Sequence, residues 1–102
     1  NVSSKINFSS LRFLPSVEEL AFSGIMPGGT KRNLRDVKNF VSFDNTINQT
    51  QQLLAADAQT SGGLLISMPI NSAEIFVKDM NESATIIGEI TEQKNQLIAV
   101  NK

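Results

Sequence analysis

Leu64-Leu65-Ile66-Ser67-Met68, then Pro69-Ile70, then Asn71-Ser72-Ala73-Glu74-Ile75-Phe76-Val77-Lys78-Asp79-Met80: the change of period along this stretch decides the fold class. The first five residues are almost continuously apolar, which predicts a central strand covered on both faces. Further on, Ala73, Phe76, Val77 and Met80 recur at i, i+3, i+4 and i+7, the apolar stripe of a helix. Asn71, with Glu74 three residues later, has the capping-box pattern that opens such a helix. Thr85 to Thr91 alternates, with Ile86, Gly88 and Ile90 on one face and Ile87 and Glu89 on the other. A polar turn over Glu92 to Asn95 then leads to a second strand over Gln96 to Val100. Strand, helix, strand, strand in that order predicts an α+β domain ending in a hairpin.

Upstream the punctuation is denser. Ile6 and Phe8 alternate with polar neighbours, which predicts a short strand over Lys5 to Ser9. Ser16 with Glu19 is a second capping-box pattern, Val17, Leu20 and Ala21 fall on one helical face, and Gly24 can end that helix in the left-handed conformation. Pro27-Gly28-Gly29 is expected to break regular structure. Leu34, Val37 and Phe40 continue at helical spacing, and Phe40 to Phe43 reads as extended. Thr46 with Gln49 predicts the opening of a helix that runs to about Ala55.

The chain has 102 residues, which fits one domain with a core of its own. Lys and Arg number 9 against 10 Asp and Glu, a net charge of -1. That balance argues against a dedicated nucleic-acid binder and against a polybasic membrane anchor. With no Cys and no His, thiol nucleophiles, disulfides, zinc fingers and imidazole bases are excluded. No apolar run approaches a membrane span of about 20 residues, and no signal peptide is visible at the start. The cytoplasm is the expected compartment. Asn1 is not an initiator methionine, so the chain is expected to be processed or cut from something longer.

Two polar clusters could carry chemistry. In Gly28-Gly29-Thr30-Lys31-Arg32-Asn33, paired glycines let backbone N–H groups converge on an anion, and Lys31 and Arg32 supply charge for phosphate. The spacing is not that of a P-loop, and on composition alone a surface turn with a solvated basic patch is the favoured reading. In Asp57-Ala58-Gln59-Thr60-Ser61-Gly62-Gly63, Asp57 could meet a metal-bridged phosphate or a substrate hydroxyl, and Thr60 and Ser61 could donate to an oxyanion. Gly62 and Gly63 would let the backbone approach a ligand closely. A loop capped by Asp57 explains the same residues equally well. Asp44, Asp57 and Asp79 lack ligand-like spacing, so no metal site is expected from this chain alone. Ser61 has no imidazole to activate it.

The order of these motifs carries a resemblance. Gly24-Ile25-Met26-Pro27-Gly28-Gly29-Thr30-Lys31-Arg32-Asn33, then Leu53-Leu54-Ala55-Ala56-Asp57-Ala58-Gln59-Thr60-Ser61-Gly62-Gly63-Leu64-Leu65, then Ile86-Ile87-Gly88-Glu89-Ile90, strongly resembles selenide, water dikinase (selenophosphate synthetase), from about Ile6 to Val100. The resemblance implies an enzyme that makes selenophosphate, AMP and phosphate from ATP, selenide and water with Mg²⁺. It implies the C-terminal α+β domain of the aminoimidazole ribonucleotide synthetase-like fold, truncated at its N-terminal end, with a mixed sheet and helices packed on one face. The implied partners are the N-terminal domain of the same protein and a further copy in a homo-oligomer, with no direct nucleic acid and no membrane.

The family's reactive Cys or selenocysteine, its essential Lys and most of its Mg²⁺-binding Asp residues belong to an N-terminal region that this sequence does not match. No catalytic residue is therefore carried over, and neither Mg²⁺ nor ATP is expected to be held by this chain alone. Gly28, Gly29, Thr30, Arg32, Asn33, Asp57, Gln59, Thr60, Ser61, Gly62 and Gly63 are the candidates for a substrate or phosphate cleft. Two other readings stand beside this one. One is a non-catalytic α+β ligand-binding or interaction module. The other is a different superfamily kinase, which the Ala58-Gln59-Thr60 insertion between Asp57 and Ser61 disfavours.

Overall fold

The computed structural model describes residues 1–102. The elements in order are β1 (Val2–Asn7), a 3₁₀ turn (Phe8–Ser10), α1 (Val17–Phe22), α2 (Gly28–Asp36), β2 (Val41–Phe43), α3 (Gln49–Ala55), α4 (Ile70–Asp79), β3 (Gly88–Glu92) and β4 (Ile98–Asn101). The strands form one mixed sheet in the order β2-β4-β1-β3. β4 runs parallel to both β1 and β2, and β3 runs antiparallel to β1. The α+β class is as the residue pattern predicts, and the mixed sheet is as the resemblance implies.

Register and pleat set the two faces of the sheet. Ile6 lies opposite Val100, Val100 opposite Phe43, and Ile98 opposite Val41, so these side chains share one face. Ala21 and Val17 of α1, Leu54 of α3, Ile47 and Phe8 pack against that face, and Phe8, Ala21, Ile47, Leu54 and Val100 form the buried centre. The other face carries Lys5, Ser42, Ala99 and Asn101, and its one ion pair, Lys5 to Glu89 at 3.9 Å, is exposed. The core is thin. The chain exposes 7771 Å², where a folded monomer of this mass exposes roughly 5,700 Å².

The terminal hairpin is not formed. β3 and β4 are consecutive and run in opposite directions, but β1 lies between them. The polar turn expected to join two neighbouring strands instead arches over the start of β1. There the buried Ser3 hydroxyl accepts from the Lys94 amide at 2.8 Å and donates to the Gln96 carbonyl at 2.9 Å. A residue 91 and 93 positions away in sequence thus satisfies groups that a hairpin would have paired locally. At Gly88 the strands approach so closely that a Cβ would sit 2.1 Å from the Lys5 carbonyl oxygen.

Leu64 to Met68 is not a strand. None of the four strands pairs with it, and Leu64 is 92% exposed. An apolar run becomes a central strand only where neighbours supply a ladder on both edges, and this one has neither. α4 follows, but it starts at Ile70 behind Pro69, ahead of the expected Asn71 cap, and has no side-chain cap bond. None of its stripe is buried. Ala73 and Val77 are half-buried, and Phe76 and Met80 are exposed.

Local capping explains the other boundary shifts. β1 starts earlier than expected, and Phe8–Ser10 leaves the strand for the 3₁₀ turn. Ser16 does precede α1, but with φ 66° its side chain makes no cap bond, so the predicted capping box is absent. Gly24 ends that segment at φ 84°, as expected. The Pro27-Gly28-Gly29 breaker proves to be a helix start. Pro27 is the cap residue and both glycines lie in the first turn of α2, where amides have no intrahelical partner in any helix. α3 is capped by Asn48, which exchanges bonds with Gln51. Thr46 does not cap it: it lies two residues ahead of the Asn48 cap, in a turn where its hydroxyl and amide both donate to Asp44.

Candidate functional site

The first turn of α2 is built to leave donors open. No hydrogen bond within the chain occupies the Gly28 or Gly29 amide, while Thr30 N–H reaches back to the Pro27 carbonyl at 3.2 Å. The first turn holds no acidic residue of its own, and the one carboxylate bonded to it is Asp57, at Thr30, on the positive end of the helix dipole. The Arg32 guanidinium folds back over this turn. A Cβ on Gly28 would lie 3.8 Å from Arg32 Nη1, and one on Gly29 would lie 3.9 Å from Nη2. The chain's two ion pairs are Lys5 with Glu89 and Arg35 with Asp36, so Arg32 has no carboxylate partner. Open amides, a helix N-terminus and an unpaired guanidinium together suit an anion.

The second cluster leaves the end of α3 and meets this turn. Thr30 Oγ1 donates to Asp57 Oδ1 at 2.5 Å and accepts from the Ala58 amide at 3.5 Å. Thr30 is fully buried. Asn33 Nδ2 donates to the Ala56 carbonyl at 3.2 Å. A Cβ on Gly29 would come within 3.3 Å of the Ala58 Cβ, so the two backbones pass closely. The structure therefore joins Gly29, Thr30 and Asn33 to Ala56, Asp57 and Ala58. Gln59, Thr60, Ser61, Gly62 and Gly63 run on from the junction, exposed, with the Gln59 carboxamide lying over Gly62. The contacts of Ala56 and Ala58 were not foreseen, since two alanines carry no chemical signal.

No three carboxylates gather anywhere in the chain, and the Asp57 carboxylate is already engaged by Thr30. The residues present do not fit a Mg²⁺ site. Asp44 is held below the usual carboxylate range by the Thr46 hydroxyl, then by the Thr46 amide. Two surface depressions, of about 280 and 410 Å³, are lined by other residues, among them Phe8 and Phe13 in one and Lys5 and Lys94 in the other. At the joined clusters Gly28, Arg32 and Gln59 to Gly63 are exposed.

No protein-family model matches the chain, but curated proteins do. It is 31% identical over 105 residues to the selenide, water dikinase of Aliarcobacter butzleri, covering 99% of this chain and 30% of that protein. It is 36% identical over 88 residues to that of Myxococcus xanthus, covering 83% and 25% respectively. With that of Sulfurovum sp. it shares 35% over 107 residues, covering 98% and 29%. The chain spans less than a third of the length of these relatives. Over most or nearly all of its length, it is homologous to one segment of the selenide, water dikinases.

Proposed function

We propose that the chain is the C-terminal domain segment of a selenide, water dikinase, and that its joined glycine clusters border the cleft over the ATP triphosphate. The full enzyme would make selenophosphate, AMP and phosphate from ATP, selenide and water. The observation that carries this reading is the first turn of α2. Its Gly28 and Gly29 amides and the Arg32 guanidinium are free, beside a second motif that the Thr30–Asp57 bond holds against it. Phosphoryl transfer depends on positioning and on neutralising charge at the phosphates, and such a turn can supply donors and one cation.

The reacting groups must come from elsewhere. This chain offers no thiol, no imidazole and no convergent carboxylates, and no step through Mg²⁺ is assigned to its residues. In this reading the domain has the aminoimidazole ribonucleotide synthetase-like fold and packs on an N-terminal domain. The protein is a cytoplasmic homo-oligomer. The chain alone is inactive: with ATP, Mg²⁺ and selenide it yields no AMP above a blank, and AMP formation would overturn that. In the full-length enzyme, Arg32→Ala raises the KM for ATP roughly tenfold, the size of one lost charge-assisted bond. An unchanged KM would overturn the phosphate reading. Tight ATP binding by the chain alone, measured by calorimetry, would favour an autonomous binding module instead.

A further inference from the structure

We infer that Thr30 and Asp57 are positioning residues that lock the two glycine motifs into one unit and do not themselves touch the ligand. The inference rests on the phosphate reading above and divides its candidate residues into two groups. Thr30 is fully buried. Its hydroxyl spends its proton on Asp57 Oδ1 and receives the Ala58 amide, so it has no donor left for a phosphate oxygen. Asp57 is a carboxylate, which a phosphate would repel. Engaged by Thr30, it instead ties the segment that leaves α3 to the first turn of α2. Asn33, through the Ala56 carbonyl, adds a second tie one helical turn further on. Gly29 lets Ala58 come close enough for both bonds to form.

Two consequences follow. Ligand contact falls to Gly28, Gly29 and Arg32 on one side and to the exposed Gln59 to Gly63 segment on the other. The two sides are also coupled, because one buried hydroxyl joins the helix turn to both Asp57 and Ala58. Loosening it frees the loop from the turn without removing a ligand contact.

The test uses the full-length enzyme with Thr30→Ser, which keeps the hydroxyl, and Thr30→Val, which keeps the shape and loses it. Thr30→Ser should stay within about twofold of the parent in KM for ATP. Thr30→Val should raise KM roughly tenfold with kcat within about threefold, a loss of binding rather than of transition-state chemistry. The Thr30→Val, Arg32→Ala double variant should raise KM by clearly less than the product of the two single effects, since coupled sites are not additive. A lower Tm for Thr30→Val with an unchanged KM would show a merely structural role and overturn the inference. An unchanged KM in Arg32→Ala would overturn the phosphate reading beneath it. If Thr30→Val does not fold, amide exchange on the unmodified enzyme decides. ATP should slow exchange at Gly28, Gly29 and 58–63 together, and protection of Gly28 and Gly29 alone would overturn the coupling.

Discussion

The Ser3 hydroxyl donates a 2.9 Å hydrogen bond to the Gln96 carbonyl, joining positions 93 residues apart. The same oxygen accepts the Lys94 amide, so one buried side chain closes the β3–β4 connection over β1. Ser3→Ala would leave a backbone carbonyl and an amide without their partner, at a cost of about 1–3 kcal/mol. Urea unfolding monitored by circular dichroism would measure it. A variant as stable as the parent would show that the connection holds without this bond.

Gly88 faces the Lys5 backbone where β3 meets β1. A methyl group there would sit 2.1 Å from a carbonyl oxygen that belongs to the ladder and cannot swing away. Gly88→Ala should therefore destabilise by about 1–3 kcal/mol, the usual cost of overpacking, and should raise amide exchange along Val2–Asn7. Wild-type protection of those amides in the variant would refute the close approach.

Asp44 gives a pH dependence with a definite sign. Its carboxylate accepts from the Thr46 hydroxyl at 2.6 Å and the Thr46 amide at 2.8 Å, and its pKa is lowered in the folded chain. The stabilisation is therefore present above the ordinary carboxylate pKa and is lost as pH falls through the lower folded value. Thr46→Val removes the larger cause, so the Asp44 titration should move up towards the ordinary range. Carboxyl-carbon NMR would follow it, and an unmoved titration would contradict the assignment.

The apolar run after the second glycine motif should drive association of the isolated chain. Leu64 is 92% exposed, Leu65 79% and Ile66 51%, and Ile70 and Ile75 on α4 are exposed beside them in sequence. Contiguous apolar surface of this kind seeks a partner. Sedimentation should show mass rising with concentration, and Leu64→Glu with Leu65→Lys should suppress the rise. A clean monomer across a tenfold range for the unmodified chain would count against it.

Elements whose signal is local were legible in the sequence. Gly24 ends a helix because a left-handed residue is needed there, and β2 lies within the extended segment expected from Phe40 to Phe43. The order of the motifs was enough to indicate the family, because homology is a property of the residue string. Local signals misled where other contacts, or the want of them, decided the outcome. Thr46 had the makings of a cap, but Asn48 with Gln51 took that place, and Leu64 to Met68 had the makings of a central strand but met no ladder. The hairpin failed for the same reason, since β1 took the place between β3 and β4.

The two polar clusters could be named from the sequence, each with its chemistry left between a ligand loop and a turn. Their meeting could not be named, because nothing in the sequence between two positions 27 apart says that a buried threonine hydroxyl will find an aspartate. That bond depends on how α2 and α3 pack, and packing is a long-range property. Residue types and their order determined the kinship with one segment of the selenide, water dikinases, the α+β class and the lack of thiol and imidazole groups in this chain. Tertiary structure alone decided which polar residues are free to meet a ligand and which are used to hold one another.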